Sequence, residues 1–234
     1  MYPREGFRPE YLDFQRGIRV GHLEPHQRIT RILKEALETQ FGEEFVTDRY
    51  GRGVYWQWIC FLSRANRAAK PLSHHTNFGC SKFFISVDRQ ERSFKSGMQI
   101  ERGYMEAPTD RQSWVLKNDW DWHLLMERLE EDPRFHKMLA RLMTREGFHL
   151  KVGSWTNDST FGTRSSPSAE ELLNMLRKIP DNHWGGFQLY YPMFPEEIKG
   201  STGPDLVDAM IAVFVEVTPL MNACMGVQLN LTSD

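Results

Sequence analysis

The sequence predicts an α+β fold, a mixed or mainly antiparallel sheet of about five strands flanked by helices on at least one face, in a single domain. Three observations point there. Residues 82–88 and 94–102 alternate apolar and polar side chains on either side of a charged turn, the period-two signature of a half-buried hairpin. Val54 to Leu62, VYWQWICFL, is apolar at nearly every position, as in a strand covered on both faces. Other segments carry apolar residues every three or four positions, the spacing of amphipathic helices.

In chain order, residues 1–24 read as an N-terminal extension. Pro25 is placed to open a helix that buries Ile29, Ile32, Leu33, Ala36 and Leu37 and stops at Gly42, where a left-handed cap costs glycine nothing. The Val54–Leu62 strand follows, with Trp56 and Trp58 expected on one face, then a polar connection from Arg64 to Thr76, then the hairpin. Asp119 is a candidate N-cap for a helix with Leu124, Leu125 and Leu129. Asp132-Pro133 starts another, striped by Phe135, Met138, Leu139, Leu142 and Met143 and closed by Gly147.

Phe148 to Val152 reads as a strand, and Ser154 to Ser166 as a long Ser/Thr/Gly-rich loop. Ser168-Ala169-Glu170-Glu171 is a capping box ahead of Leu172, Leu173 and Leu176. Gly185 to Tyr191 is a further strand. Pro204 opens the last helix, bent or ended by Pro219.

Composition narrows the function classes. The net charge of −2 divides into +3 over residues 1–110 (17 basic, 14 acidic) and −5 over the rest (12 basic, 17 acidic). That balance argues against tight, non-specific binding of nucleic acid, which would need a local basic patch. Cys60, Cys80 and Cys224 are too few and too scattered for a disulfide framework or a CxxC metal site, which points to a reducing cytoplasm. The apolar run Ala209–Val215 is about a third of the ~20 residues that a membrane-spanning helix needs, so no membrane association is expected.

Among candidate sites, Arg64, Arg67 and Lys70 recur every three residues in SRANRAAKP, so a helical turn would bring the three cations together against a phosphate or carboxylate. His74 and His75 follow immediately and complete the anion-binding candidate. Neither this histidine pair nor His22 with His26 comes with a complete ligand set, so no metal and no cofactor is expected. Asp119, Asp121 and His123 supply the raw material of acid–base chemistry, although carboxylates at a helix start also serve as caps. Of seven tryptophans, Trp155, in the polar loop, is the candidate for stacking on a ligand. GxGxxG, Walker and GxSxG patterns are missing, and Gly51-Arg52-Gly53 is too short for a phosphate loop.

The order of Arg64 with Arg67, Lys70-Pro71-Leu72, the FFISVD and FKSGMQIERG strands and the closing Phe214-Val215-Glu216-Val217-Thr218-Pro219-Leu220 resembles that of the bacterial domain-of-unknown-function family numbered 2461. That family combines an Arg-x-x-Arg-Asp segment, a Lys-x-Pro-Tyr phrase, a Gly-containing strand pair and a Phe-x-x-x-x-Pro-Leu helix. The likeness covers most of residues 55–222. It departs where Ala68 replaces the family's Asp, where Pro71 follows Lys70 directly, and where the family's N-terminal Trp-Phe phrase is missing. The resemblance implies a fold and an arginine-rich segment rather than a reaction, because function resides in the site.

The leading expectation is a soluble, non-catalytic binding or interaction domain whose partner is an anionic ligand or another protein. A hydrolase-like enzyme using the Asp/His cluster is the second reading and a nucleic-acid-associated module the third.

Overall fold

The computed structural model describes residues 4–70, 77–115 and 120–232. Nine strands, rather than about five, form one sheet whose strand pairings are all antiparallel: β1 (Leu12–Asp13), β2 (Gly17–Arg19), β3 (Phe45–Arg52), β4 (Tyr55–Ser63), β5 (Lys82–Asp88), β6 (Ser93–Arg102), β7 (His149–Ser154), β8 (Asn157–Phe161) and β9 (Gly185–Met193). The main order is β3-β4-β5-β6-β9-β7-β8. The small β1–β2 pair joins β4 at Tyr55 and Trp56, beyond the stretch of β4 that β5 occupies. The expected hairpin is β5–β6, in register from Lys82 opposite Gln99 to Asp88 opposite Ser93.

The additional strands escaped the sequence reading for physical reasons. β3, FVTDRYGR, and β8, NDSTF, pair on one side only and put only a few apolar residues, Phe45 and Val46 in β3 and Phe161 in β8, against the core clusters, so neither shows a full alternation of apolar side chains. The supposed loop Ser154–Ser166 therefore begins as the tight β7–β8 hairpin, turning at Trp155 and Thr156. Of residues 4–24, Phe7, Tyr11, Leu12, Ile18, Val20 and Leu23 are at most 8% exposed and join the same core as the rest of the chain.

Seven α-helices stand among the described residues: α1 (Ile29–Phe41), α2 (Arg64–Ala68), α3 (Trp120–Glu131), α4 (Pro133–Thr144), α5 (Ala169–Arg177), α6 (Pro195–Lys199) and α7 (Gly203–Asn222). Several of their ends follow the sequence signals, but Pro25 opens a separate 3₁₀ turn over Pro25–Gln27, and α1 starts at Ile29 after the extended Arg28. Gly42 caps α1 at φ 64°, the Asp132 carboxylate accepts from the Arg134 and Phe135 N–H groups, and Ser168 and Thr202 form capping boxes. Two further details differ from expectation. The polar connection after β4 coils into α2, because the Ser63 hydroxyl accepts from Asn66 N–H. Pro219 does not end α7, which runs on to Asn222. No helix among the described residues is long and apolar enough to cross a membrane.

The core lies between the sheet and its helices. Phe61, Phe83, Met98, Leu189, Leu150 and Phe161 form one row across six strands, and the apolar residues of α1, α3, α4, α5 and α7 close over that face. On the opposite face the corresponding row is polar: Lys82, Gln99, Gln188, Lys151 and Thr160. Trp56 and Trp58 do not share a face. In β4 the register slips by one residue at Gln57, opposite Tyr50 and Gly51, which turns Trp56 toward the helix-side core and Trp58 toward Cys60 and Phe84.

Candidate anion-binding site

The structure separates the three cations of the SRANRAAKP segment. Arg64 lies exposed and bridges Glu44 at 2.9 Å. Arg67 donates from Nε to Asn77 Oδ1 at 2.6 Å, and Asn77 in turn donates to Asp48. Lys70 turns inward, where its Nζ reaches Asp121 at 2.9 Å and Asn66 Oδ1 at 2.6 Å. α2 spans only Arg64–Ala68, so Lys70 lies beyond the stripe that Arg64 and Arg67 share, and the three cations meet three different acceptors. His74 and His75 lie outside the described residues, as does Asp119.

Asp121 and His123 are not brought together. Asp121 is fully buried, accepting from Asn66 Nδ2 and Ser81 N–H besides pairing with Lys70, while His123 is exposed on α3. Trp155 is 62% exposed at the β7–β8 turn, its ring tilted against Trp184 with centroids 5.8 Å apart. Among the described residues no group of three or more His, Cys, Asp or Glu side chains could hold a metal ion.

The convergence of cations that sequence spacing placed at Arg64 occurs at the other end of the sheet. Arg16 belongs to the β1–β2 turn, Arg49 and Arg52 to β3, and Arg89 to the β5–β6 turn. With Tyr50, Tyr55 and Gln57 they line an open groove of about 640 Å³, and none of the residues lining it is acidic. One carbonyl ties its parts together. Arg16 O accepts from Gln57 Nε2 at 2.7 Å, which the bulge in β4 presents, and from an Arg89 guanidinium nitrogen at 3.2 Å.

The arginines are held partly by aromatic faces. The Arg16 guanidinium lies 4.4 Å from the Tyr55 ring centre and that of Arg49 lies 4.0 Å from the Trp56 ring. Asp13 orients Arg16 through Nε at 2.5 Å, and this hydrogen bond raises the arginine's pKa further. Burial opposes ionisation of the Asp13 carboxyl, but the bonds from Arg16 and from two backbone N–H groups outweigh it and hold the carboxyl below the usual range. Gly51, at φ 149°, allows the strand to pass: a Cβ there would stand 2.6 Å from Trp56 Cα. Arg52 is exposed, and its side chain makes no hydrogen bond or ion pair among the described residues.

Two other features differ from this groove in charge and burial. A larger one of about 1060 Å³ between α1 and β3 meets it at Arg49, but three acidic side chains (Glu35, Glu38, Asp48) offset its three basic ones (Arg31, Lys34, Arg49). The polar face of the sheet holds a buried network: Lys82 pairs with Glu101, which accepts from Trp184 Nε1 at 3.0 Å, and Gln99 accepts from Trp58 and Gln188. Burial opposes the Lys82 charge, and the Glu101 carboxylate more than restores it, so its pKa is raised. These groups satisfy one another and serve the fold.

Scattered over the first 89 residues, Arg16, Arg49, Arg52 and Arg89 carry no local motif. The one hint was Gly51-Arg52-Gly53, which is a hairpin tip rather than a phosphate loop. No protein-family model matches the chain, and no curated protein matches its sequence.

Proposed function

We propose that the chain is a non-catalytic binding domain for an anionic ligand, and that the ligand is held in the groove lined by Arg16, Arg49, Arg52 and Arg89. The observation that carries the reading is that four arginines, from three separate parts of the sheet, belong to the lining of one groove that includes no acidic residue. Guanidinium groups remain charged at every physiological pH and match the fork of a phosphate or carboxylate. Arg64, Arg67 and Lys70, the first candidates for this role, already engage Glu44, Asn77 and Asp121. Arg16 is paired too, with Asp13, and Arg49 is stacked on Trp56, so Arg52 and Arg89 are the groove's cations with neither kind of partner among the described residues. The hydrolase reading loses support because Asp121 is sealed inside and His123 points elsewhere. Three free, buried cysteines suit a reducing cytoplasm, where we place the protein.

Inorganic tripolyphosphate is a direct probe. It should raise the thermal midpoint of the protein in a concentration-dependent way, because a ligand that binds only the folded state stabilises it by mass action. Replacing the exposed Arg52 and Arg89 with Ala should leave the unliganded midpoint nearly unchanged and remove most of the shift. An equal shift in the wild type and the variant would place the anion elsewhere.

A further inference from the structure

Resting on the reading of the arginine groove as an anion site, we propose that its ligand is single-stranded nucleic acid, with Tyr50 as the surface on which a base stacks. A site for a simple phosphate has no use for an exposed aromatic ring. Tyr50 nevertheless stands 72% exposed in the lining, next to the Gly51 bend, and Tyr55 belongs to the same lining with the Arg16 guanidinium on its face. Guanidinium groups alternating with aromatic rings are the combination that holds an unpaired strand: the cations take the phosphates and the rings take the bases, which a duplex keeps stacked inside.

The size and charge of the site set its character. At about 640 Å³ the groove holds a short stretch of strand. The chain as a whole is slightly acidic and adds no general attraction, so affinity depends on the local arginines. Because Arg16 is paired with Asp13 and Arg49 is stacked on Trp56, Arg52 and Arg89 are the cations left for phosphates. The logarithm of the binding constant should therefore fall with the logarithm of salt concentration at a slope of about −1.4, from roughly −0.7 per phosphate neutralised on a single strand. Such binding is salt-sensitive and short, consistent with a protein whose overall charge does not favour polyanions.

The test uses the full chain, a labelled short oligothymidylate, an abasic strand of equal length, the same thymidylate paired in a duplex, and tripolyphosphate, read by fluorescence anisotropy and thermal shift. Oligothymidylate should bind about tenfold or more tightly than the abasic strand, the stacking contribution of one base, and more tightly than the duplex. Tyr50→Ala should abolish most of that advantage and leave stabilisation by tripolyphosphate intact. Equal binding of the abasic strand and oligothymidylate, or an advantage that survives Tyr50→Ala, would overturn the nucleic-acid inference while tripolyphosphate binding kept the anion site. Failure of tripolyphosphate and of every strand to bind would overturn both readings.

Discussion

Lys70 and Asp121 meet in the interior, Nζ to carboxylate at 2.9 Å, with side chains 5% and 1% exposed. The contact joins the segment after α2 to the first turn of α3, and the Asp121 carboxylate also takes Asn66 Nδ2 and Ser81 N–H. An ion pair so placed gains little over a well-packed apolar pair, but removing one member leaves the other charged and unpaired.

Asp121→Asn should therefore cost about 3–5 kcal/mol in urea-induced unfolding. Combining Lys70→Met with Asp121→Leu should restore part of the loss, not all, because Asn66 and Ser81 still lose an acceptor. A loss under about 1 kcal/mol for the single variant would show that water reaches the pair.

A pH dependence follows from the β5–β6 turn. Lys95 Nζ lies 2.8 Å from Asp88 and 2.9 Å from Glu91. Burial opposes the charge on Asp88, but the Lys95 hydrogen bond and two backbone N–H groups outweigh it and hold the carboxyl below its ordinary 3.8. A depressed carboxyl pKa contributes stability that is present above the unfolded value and lost as pH falls through the folded one. Wild-type stability should thus drop as pH is lowered below about 4, and Asp88→Asn should remove that part of the drop when unfolding is followed at pH 7 and at pH 3.

Two glycines on the paired strands β6 and β9 should respond oppositely to alanine. At Gly97 a Cβ would stand 2.0 Å from Leu189 O and 2.6 Å from Tyr190 Cα, both backbone atoms that a side-chain movement cannot clear. Gly97→Ala should cost at least about 3 kcal/mol or prevent folding. At Gly186 a Cβ meets nothing within 4 Å, so Gly186→Ala should be neutral or slightly stabilising through the unfolded chain. Similar melting temperatures for the two variants would contradict the β6–β9 register.

The three thiols should be silent in the native state. Cys60, Cys80 and Cys224 are at most 1% exposed, and burial pushes all three thiol pKa values up, that of Cys80 to about 11. A disulfide-exchange reagent at pH 8 should find almost no thiolate until denaturant is added, and then three thiols per chain. Rapid reaction of one thiol without denaturant would reveal local opening around it.

Much of the architecture was legible because burial writes itself into the pattern of side chains. The alternation of Phe83, Ile85 and Val87 marked β5, and capping residues at Gly42, Asp132 and Ser168 marked helix ends. Edge strands are under weaker demand. Asn157 to Phe161 needs only to complete hydrogen bonds with β7, a task that any extended polar sequence performs. The bulge that divides Trp56 from Trp58 is a property of pairing with β3, invisible along β4 alone. The site was less legible than the fold: Arg64, Arg67 and Lys70 share a spacing but not a direction. Arg16, Arg49, Arg52 and Arg89 come to the lining of one groove only through the pairing of β2, β3 and β5 with β4.

The position of β9 also shapes how the sheet assembles. β3–β4, β5–β6 and β7–β8 are neighbours in sequence and close through short turns, whereas β9 enters between β6 and β7 after the chain has passed through α3, α4, β7, β8 and α5. The hairpins therefore gain their contacts at small loop-closure cost, while the seam from Phe94–Met193 to Arg102–Gly185 closes a loop several times longer. The middle of the finished sheet is thus its latest part to form, and until β9 arrives, β6 and β7 each present an open edge to other chains.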